Sequence, residues 1–130
     1  MTIHEMMQQV ALLSTGHYER AGDISTIEIP TPGARRQIIF GKLDEMGEDV
    51  VAVLYTTVGD SSECPDMKYL LQINTALRYC RAALLDDGSI VLIAIFDLLS
   101  TSVKECARVI QELAAVADDL EKRWFHSDTA

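Results

Sequence analysis

The sequence predicts an α+β domain in which three helices accompany a mostly antiparallel five-stranded sheet, in the order αβββαββα. Three segments repeat apolar residues at helical spacing, and five shorter ones are rich in β-branched residues. The strand segments cluster instead of alternating with helices, and short turns join neighbours, which favours antiparallel pairing. With 130 residues, of which 48% are hydrophobic, we expect one domain over residues 1–130 with a core of about 20–126.

The first helix is predicted over residues 3–15. Thr2 and Glu5 fit a capping box, in which the Thr side chain and the Glu side chain bind each other's backbone N–H. Apolar residues then recur at helical spacing as far as Leu13, and Gly16 is placed to end the helix.

Three strands are expected next, over residues 25–29, 36–43 and 50–58. The first is closed by the turn sequence Pro-Thr-Pro-Gly, and the third, VVAVLYTTV, is rich in β-branched and aromatic residues. Residues 16–24 are polar, and we expect them to be irregular. A polar turn is predicted over residues 44–49.

A second helix is predicted from Pro65, which suits the first helical position, with a stripe of side chains at helical spacing. The stripe consists of Met67, Leu70, Leu71, Asn74 and Leu77. Asn74 is its polar member, and a buried amide needs hydrogen-bond partners. It either bonds to a neighbouring loop or strand end, or makes a specific polar contact across a helix–helix interface.

The last three elements are strands over residues 78–85 and 90–97 and a long closing helix over residues 103–125. Asp87-Gly88 is typical of a tight hairpin between the strands. Ser102 and Glu105 form a second capping box. The helix carries a broad apolar face rich in small residues, which suits close packing on a sheet.

The strand over residues 90–97 is apolar on both faces. Ile90, Leu92, Ala94 and Phe96 share one face, and the other carries Val91, Ile93 and Ile95. The closing helix covers one face; leaving three apolar side chains of the other in water forfeits about 5–8 kcal/mol. We therefore expect a second subunit to cover that face, unless helices of the same chain lie on both faces.

The amino-acid composition limits the classes of partner that we expect. The formal net charge of -9 disfavours nucleic acid and anionic membrane surfaces, and the longest apolar run is too short to span a bilayer. Three widely spaced cysteines without a CxxC motif favour free thiols in a reducing cytoplasm. The sequence has no phosphate-binding glycine motif, calcium loop or zinc pattern, so we expect no cofactor and no metal.

The stretch GDSSECP at residues 59–65 is the best catalytic candidate, because Gly-Asp-Ser surrounds nucleophilic serines in some hydrolases. Ser61 needs a histidine base, and His4, His17 and His126 are the available ones. None lies in a turn that obviously faces Ser61. The preferred interpretation is a loop whose Asp60, Ser61 and Ser62 cap the second helix; a small hydrolase or ligand-binding domain with a pocket between helix and sheet is the alternative.

The element order, the size and the acidity resemble the type III secretion chaperone-like fold. Within it, YLLQINTAL, RAALLDDGSIVLIAIFDLLS and the helix that follows resemble the YbjN-like family most, over about residues 35–125. The resemblance implies a non-enzymatic protein that dimerises and binds other proteins. It implies a dimer interface on the second helix, at Met67, Leu70, Leu71 and Asn74.

The predicted function is thus a cytoplasmic, homodimeric, non-enzymatic protein-binding module, chaperone-like or regulatory. Its partners are a second copy of itself and an unknown protein. The predicted dimer or partner interface consists of Met67, Leu70, Leu71, Asn74, Val91, Ile93 and Ile95. A dedicated type III secretion chaperone is a further alternative.

Overall fold

The computed structural model describes residues 1–47 and 49–125, and it has an α+β architecture with three α-helices. The helices are α1 (Ile3–Leu13), α2 (Met67–Ile73) and α3 (Val103–Leu120). The strands are β1 (His17–Ala21), β2 (Ile24–Thr31), β3 (Arg35–Met46), β4 (Asp49–Asp60), β5 (Arg81–Leu84) and β6 (Ser89–Phe96). All pairs are antiparallel in one sheet of order β1-β2-β3-β4-β6-β5.

The sheet has six strands, so the predicted five-stranded sheet and the order αβββαββα are wrong by one strand. The missed strand is β1, which lies in the segment 16–24 that its polar sequence, HYERA, marks as irregular. It is an edge strand paired with β2 alone, and four of its five residues are exposed. A strand at an exposed sheet edge does not need alternating apolar and polar residues. The pattern that identifies a strand is therefore missing from the β1 sequence.

Both capped helices begin where the sequence predicts. Thr2 and Glu5 form the complete capping box, and the Ser102 side chain accepts the Glu105 N–H. The end of α1 differs from the expectation, because the residue in the left-handed region is Thr15, with φ 53°, and not Gly16. Gly16 instead allows Ile27 to pack closely, because a Cβ at this position would lie only 2.9 Å from Ile27 Cγ2.

Three predicted elements are too long. The first helix, predicted over residues 3–15, ends at Leu13. The second helix ends at Ile73, and the stretch up to Leu77 forms turns. The fifth strand begins at Arg81 because the N–H groups of the three preceding residues bind the Glu112 carboxylate instead of a neighbouring strand. The chain continues α3 as a short π-helix over Glu121–Phe125.

The helices α1 and α3 pack side by side on the same face of the sheet. A Cβ at Gly41 in β3 would touch both Met7 of α1 and Leu54 of β4, so α1 lies directly on this face. The core between the helices and the sheet includes five buried side chains of α1, which are Ile3, Met6, Met7, Val10 and Ala11. The predicted alternative with helices on both faces is therefore wrong for α1.

Ion pairs connect the C-terminal end of α3 to the start of β3. Arg35 Nε donates to Asp118 Oδ1 at 2.7 Å, and Arg35 Nη2 lies 3.4 Å from Glu121 Oε2. Lys122 Nζ lies 2.9 Å from the other oxygen of Asp118. Desolvation alone would raise the pKa of Asp118, but its bonds to Arg35 and Lys122 outweigh that effect and lower it.

Candidate functional site

The helix α2 is held at its start by its own cap. Asp66 Oδ1 accepts the N–H of Tyr69 at 3.0 Å, as expected of an N-cap aspartate. The prediction that residues 60–62 cap α2 is wrong. Asp60 instead caps the short 3-10 helix Ser61–Glu63 by accepting the Ser62 N–H, which lowers the pKa of Asp60, and Pro65 precedes the α2 cap.

Asn74 joins the C-terminal end of α2 to the edge strand β5. Its Oδ1 accepts the N–H of Ala82 at 2.7 Å, and its Nδ2 lies 3.4 Å from the carbonyl oxygen of the same residue. The amide thereby binds both backbone groups of one edge residue, as a neighbouring strand would. Asn74 is half-buried, and these bonds satisfy its amide within the chain.

Glu112 of α3 holds the segment between α2 and β5. Its carboxylate accepts the backbone N–H groups of Arg78, Tyr79 and Cys80, each at 2.8 Å. Desolvation works to raise the pKa of Glu112, but these hydrogen bonds outweigh it and lower the pKa. The carboxylate therefore stays ionised while it fixes the segment.

An aromatic cluster fixes α2 against the end of α3. The Tyr69 ring meets the Trp124 ring edge-on at 5.3 Å between centroids, and the Arg123 guanidinium lies 5.5 Å from the Tyr69 centroid. Phe125 fills the space over Gly59, at a register shift in β4, where a Cβ would lie 2.6 Å from the ring. These contacts place α2 beside the sheet edge.

The α2–β5 groove, as we call it, is a cavity of about 220 Å³ between this helix and the edge strand. Every lining residue is apolar: Met67, Leu70, Leu71, Ala82, Ala83, Leu84 and Ile90. Leu70 is buried at its base, whereas 71% of Leu71 is exposed at its rim. Met67, Leu84 and the adjacent Leu85 are also exposed, so the groove belongs to a larger apolar surface.

The structure divides the predicted interface residues between two surfaces. Met67, Leu70 and Leu71 line the groove, and Asn74 lies at its end. Sequence reasoning missed the β5 side of the groove, since its alanines carry no sign of exposure. An edge strand next to an amphipathic helix is the signal that could have found them.

Val91, Ile93 and Ile95 point to the sheet face opposite α1 and α3, because their β6 neighbours Leu92 and Ala94 pack into the core. They differ in burial. Val91 is 1% exposed, Ile93 is half-buried and Ile95 is 47% exposed. Val91 and Ile93 are thus wholly or partly buried within the chain, so this patch offers less free apolar surface than the sequence suggests.

The catalytic candidate does not assemble among the described residues. Ser61 donates its N–H to the Gly88 carbonyl oxygen, and it has no histidine partner there. His17 bonds to Glu19, and His126 lies outside the described residues. His4 bonds to Ser25, whose hydroxyl also meets Tyr18, but Ser25 is fully buried, so no substrate reaches it.

Other chemistry has equally little support. Burial raises the pKa of the Cys80 and Cys106 thiols to about 12, which makes them poor nucleophiles. Residues 1–47 and 49–125 contain no group of three or more His, Cys, Asp and Glu side chains suited to a metal ion. Within the same ranges no helix is long and apolar enough to cross a bilayer.

Solved structures similar to this chain include two complexes from type III secretion systems. The type III secretion chaperone SycH of Yersinia pestis, in complex with a stable fragment of YscM2, aligns with a TM-score of 0.57 and 16% identity over 93% of this chain and 98% of its own. A chain of the heterodimeric ExoU–SpcU complex of the Pseudomonas aeruginosa type III secretion system aligns with a TM-score of 0.60 and 15% identity, over 97% of this chain and 100% of its own. No protein-family model and no curated protein matches the sequence.

These alignments confirm the type III secretion chaperone-like fold, since they cover nearly the whole of each chain. The narrower resemblance to the YbjN-like family is not tested by these alignments and stays a prediction.

Proposed function

We propose that this chain is a non-enzymatic protein-binding module that works as a homodimer and holds a partner protein. The single observation that carries the proposal is the α2–β5 groove, an all-apolar surface held open by Asn74, Glu112 and the aromatic cluster. A surface of this kind in a chain of net charge -9 is typical of a protein–protein contact.

A second copy of the chain is the occupant that fits the groove best. Two copies of charge -9 repel each other, and a contact without charged side chains adds no further repulsion; the groove has none in its lining. Leu71 projects from the rim beside a cavity large enough for a side chain. A two-fold axis would insert each Leu71 into the partner's groove, which is a self-complementary contact.

The partner protein is proposed from the fold. Each of the two similar structures contains two different proteins. In one, SycH is bound to a fragment of YscM2, and in the other ExoU and SpcU form a heterodimer. A dedicated type III secretion chaperone is the second candidate function, and the near-complete overlap with SycH favours it. We propose that the protein functions in the cytoplasm. Its free cysteines, two of which are fully buried, support this location.

The solution mass tests the homodimer. Size-exclusion chromatography with light scattering, over a wide concentration range, should give a dimer for the wild type. Leu71→Ser removes one apolar contact from each subunit, and at about 1.5 kcal/mol or more per leucine the dimer dissociation constant should rise about 100-fold or more.

Leu99→Ser is the matched control, because Leu99 is 89% exposed on the short helix between β6 and α3. It should leave the mass unchanged. A wild-type monomer at all concentrations, or a Leu71→Ser protein as dimeric as the control, would refute the proposed homodimer.

A further inference from the structure

A second cavity lies within the sheet, where β3 and β4 part. Their paired residues run from Phe40 and Tyr55 to the hairpin, although β3 begins at Arg35 and β4 continues to Asp60. Beyond the pairing, the Thr56 hydroxyl donates to the Ile38 carbonyl oxygen at 2.7 Å, in place of a strand-to-strand bond. The opening between the strands, which we call the sheet slot, has a volume of about 280 Å³.

The slot has a buried polar floor made of Gln37, Thr56 and Glu121. Since the Thr56 hydroxyl proton goes to Ile38, its oxygen must accept from Gln37 Nε2, which lies 2.8 Å away. The same nitrogen lies 3.4 Å from Glu121 Oε1. Two acceptors therefore fix which end of the Gln37 amide carries the nitrogen.

This orientation leaves Gln37 Oε1 as a buried acceptor with no hydrogen-bond partner among the described residues. A buried acceptor without a donor costs free energy, and Gln37 lines the slot, so a ligand that brings an N–H or O–H group to this oxygen would gain a hydrogen bond that the chain does not supply.

The described charged side chains near the slot each have a partner of opposite charge, which bears on the charge of that ligand. Arg36 at the rim pairs with Glu28. Glu121 of the floor and Asp118, one helical turn before it, face Arg35 and Lys122. Within residues 1–47 and 49–125, an added cation or anion would find no nearby charged side chain that lacks a counter-charge, and a buried charge without one is costly. An uncharged donor fits the slot better.

The wall of the slot favours an aromatic ring on that donor. Ile38 is 44% exposed, and Phe40 stacks on Tyr55 with 5.1 Å between centroids and 17° between planes. A flat ring can extend this stack. A neighbouring cavity of about 240 Å³ shares Glu28, Ile38 and Phe40 and leads towards β1, which leaves room for the polypeptide that carries the ring.

We propose that the sheet slot binds an aromatic side chain with one O–H or N–H donor, a tyrosine or tryptophan of a partner polypeptide. The ring packs against Ile38 and Phe40, and the donor bonds to Gln37 Oε1. This site is separate from the α2–β5 groove and does not depend on the homodimer.

Nuclear magnetic resonance titration of the labelled full chain tests the proposal with three side-chain analogues: p-cresol for tyrosine, toluene for phenylalanine and n-butylammonium for lysine. We expect p-cresol to bind about tenfold more tightly than toluene, because only p-cresol supplies the missing donor. It should shift the Gln37 side-chain amide and the backbone amides of Ile38 and Thr57. Butylammonium should bind more weakly than p-cresol.

Gln37→Leu removes the acceptor, and the preference for p-cresol over toluene should disappear. If that variant does not fold, Ile38→Ser at the half-exposed rim must weaken both aromatic compounds, while Leu99→Ser weakens neither. Equal affinities for p-cresol and toluene in the wild type, tighter binding of butylammonium, or shifts centred on the α2–β5 groove would each overturn the proposal.

N-acetyltyrosine methylamide separates a polypeptide side chain from a free phenol. It should bind at least as tightly as p-cresol, since the neighbouring cavity accommodates its backbone. Binding of p-cresol together with rejection of this compound would overturn the assignment to a partner polypeptide.

Discussion

Glu112 is the residue on which the segment between α2 and β5 most depends. Three backbone N–H groups point at one carboxylate, at 2.8 Å each, and none of them bonds to a described strand. The half-exposed Glu112 carboxylate is charged, so its hydrogen bonds to these three donors are stronger than bonds to a neutral acceptor. A turn without Glu112 would leave the three amides bonded to water. This single side chain helps to set where β5 begins, and pairing with β6 positions the strand itself.

Replacing Glu112 by Gln should reduce stability and alter its pH dependence. The amide is a weaker acceptor, so we expect a loss of about 2 kcal/mol at pH 7. The lowered pKa of Glu112 means that the folded chain binds fewer protons than the unfolded chain, so its contribution is complete above the ordinary value of 4.5 and is lost as the pH falls below it. Glu112→Gln should therefore lose less stability than the wild type between pH 5 and about pH 3.

Urea unfolding followed by Trp124 fluorescence measures both effects, because Trp124 is the only tryptophan and contacts Tyr69 of α2. Asp119→Asn is the control, as the Asp119–Arg123 pair is largely exposed and should contribute little. Parallel pH profiles of Glu112→Gln and the wild type would contradict this role.

Residue-scale features were predictable from the sequence where both partners are close in the chain. The capping residues Thr2 and Ser102 are three positions from the groups that they bind, so local spacing identifies them. Glu112 is 32 to 34 positions from its partners, and Gln37 is 84 from Glu121. Such bonds depend on the packing of whole elements, which spacing does not give.

At the scale of elements, α2 is a short helix whose position depends on its two ends. Seven residues make few intrahelical bonds, so tertiary contacts must supply its stability. Asp66 caps its start, and Asn74 binds β5 at its end. The sequence predicted an amphipathic helix here, and its length was overestimated because the stripe continues to Leu77 through non-helical turns.

Asn74→Ala should detach the end of α2 from β5. The change leaves the Ala82 N–H without its 2.7 Å partner, and we expect a loss of about 1–2 kcal/mol in stability. Hydrogen exchange at the Ala82 amide should accelerate more than exchange at the core amides of β6. Gln72→Ala, on the exposed side of the same helix, is the control. Unchanged exchange at Ala82 would show that the amide bond does not hold this edge.

Gly59 and Phe125 form the other contact that joins the end of α3 to the sheet. Gly59→Ala should cost about 1–3 kcal/mol, because the new methyl group overlaps the Phe125 ring. In a Phe125→Ala background the overlap is gone, so the same substitution should cost much less. A double-mutant cycle by urea unfolding and circular dichroism measures this coupling. Additive effects of the two substitutions would argue against the contact.

At the scale of the whole molecule, the sheet has two unequal faces. The sequence predicted strands that are apolar on both sides, but periodicity cannot say which sheet face a helix covers. That is why the position of α1 beside α3 was not predictable. The helices leave the other face to strand side chains such as Phe40 and Tyr55, which stack on each other, and to a chemically mixed surface that includes Lys42 and Arg81.

This inequality leads to a prediction about the dimer. The open sheet face mixes charged and apolar side chains, and its predicted contact Val91 is already covered within the chain, so it offers a second copy less apolar surface than the all-apolar groove. Ile95→Ser, at the most exposed of the predicted β6 positions, should therefore leave the solution mass unchanged, while Leu71→Ser lowers it at the same concentration. Light scattering on the two variants side by side separates the surfaces. Dissociation by Ile95→Ser alone would place the second subunit on the sheet face, and the groove would then be free for the partner protein.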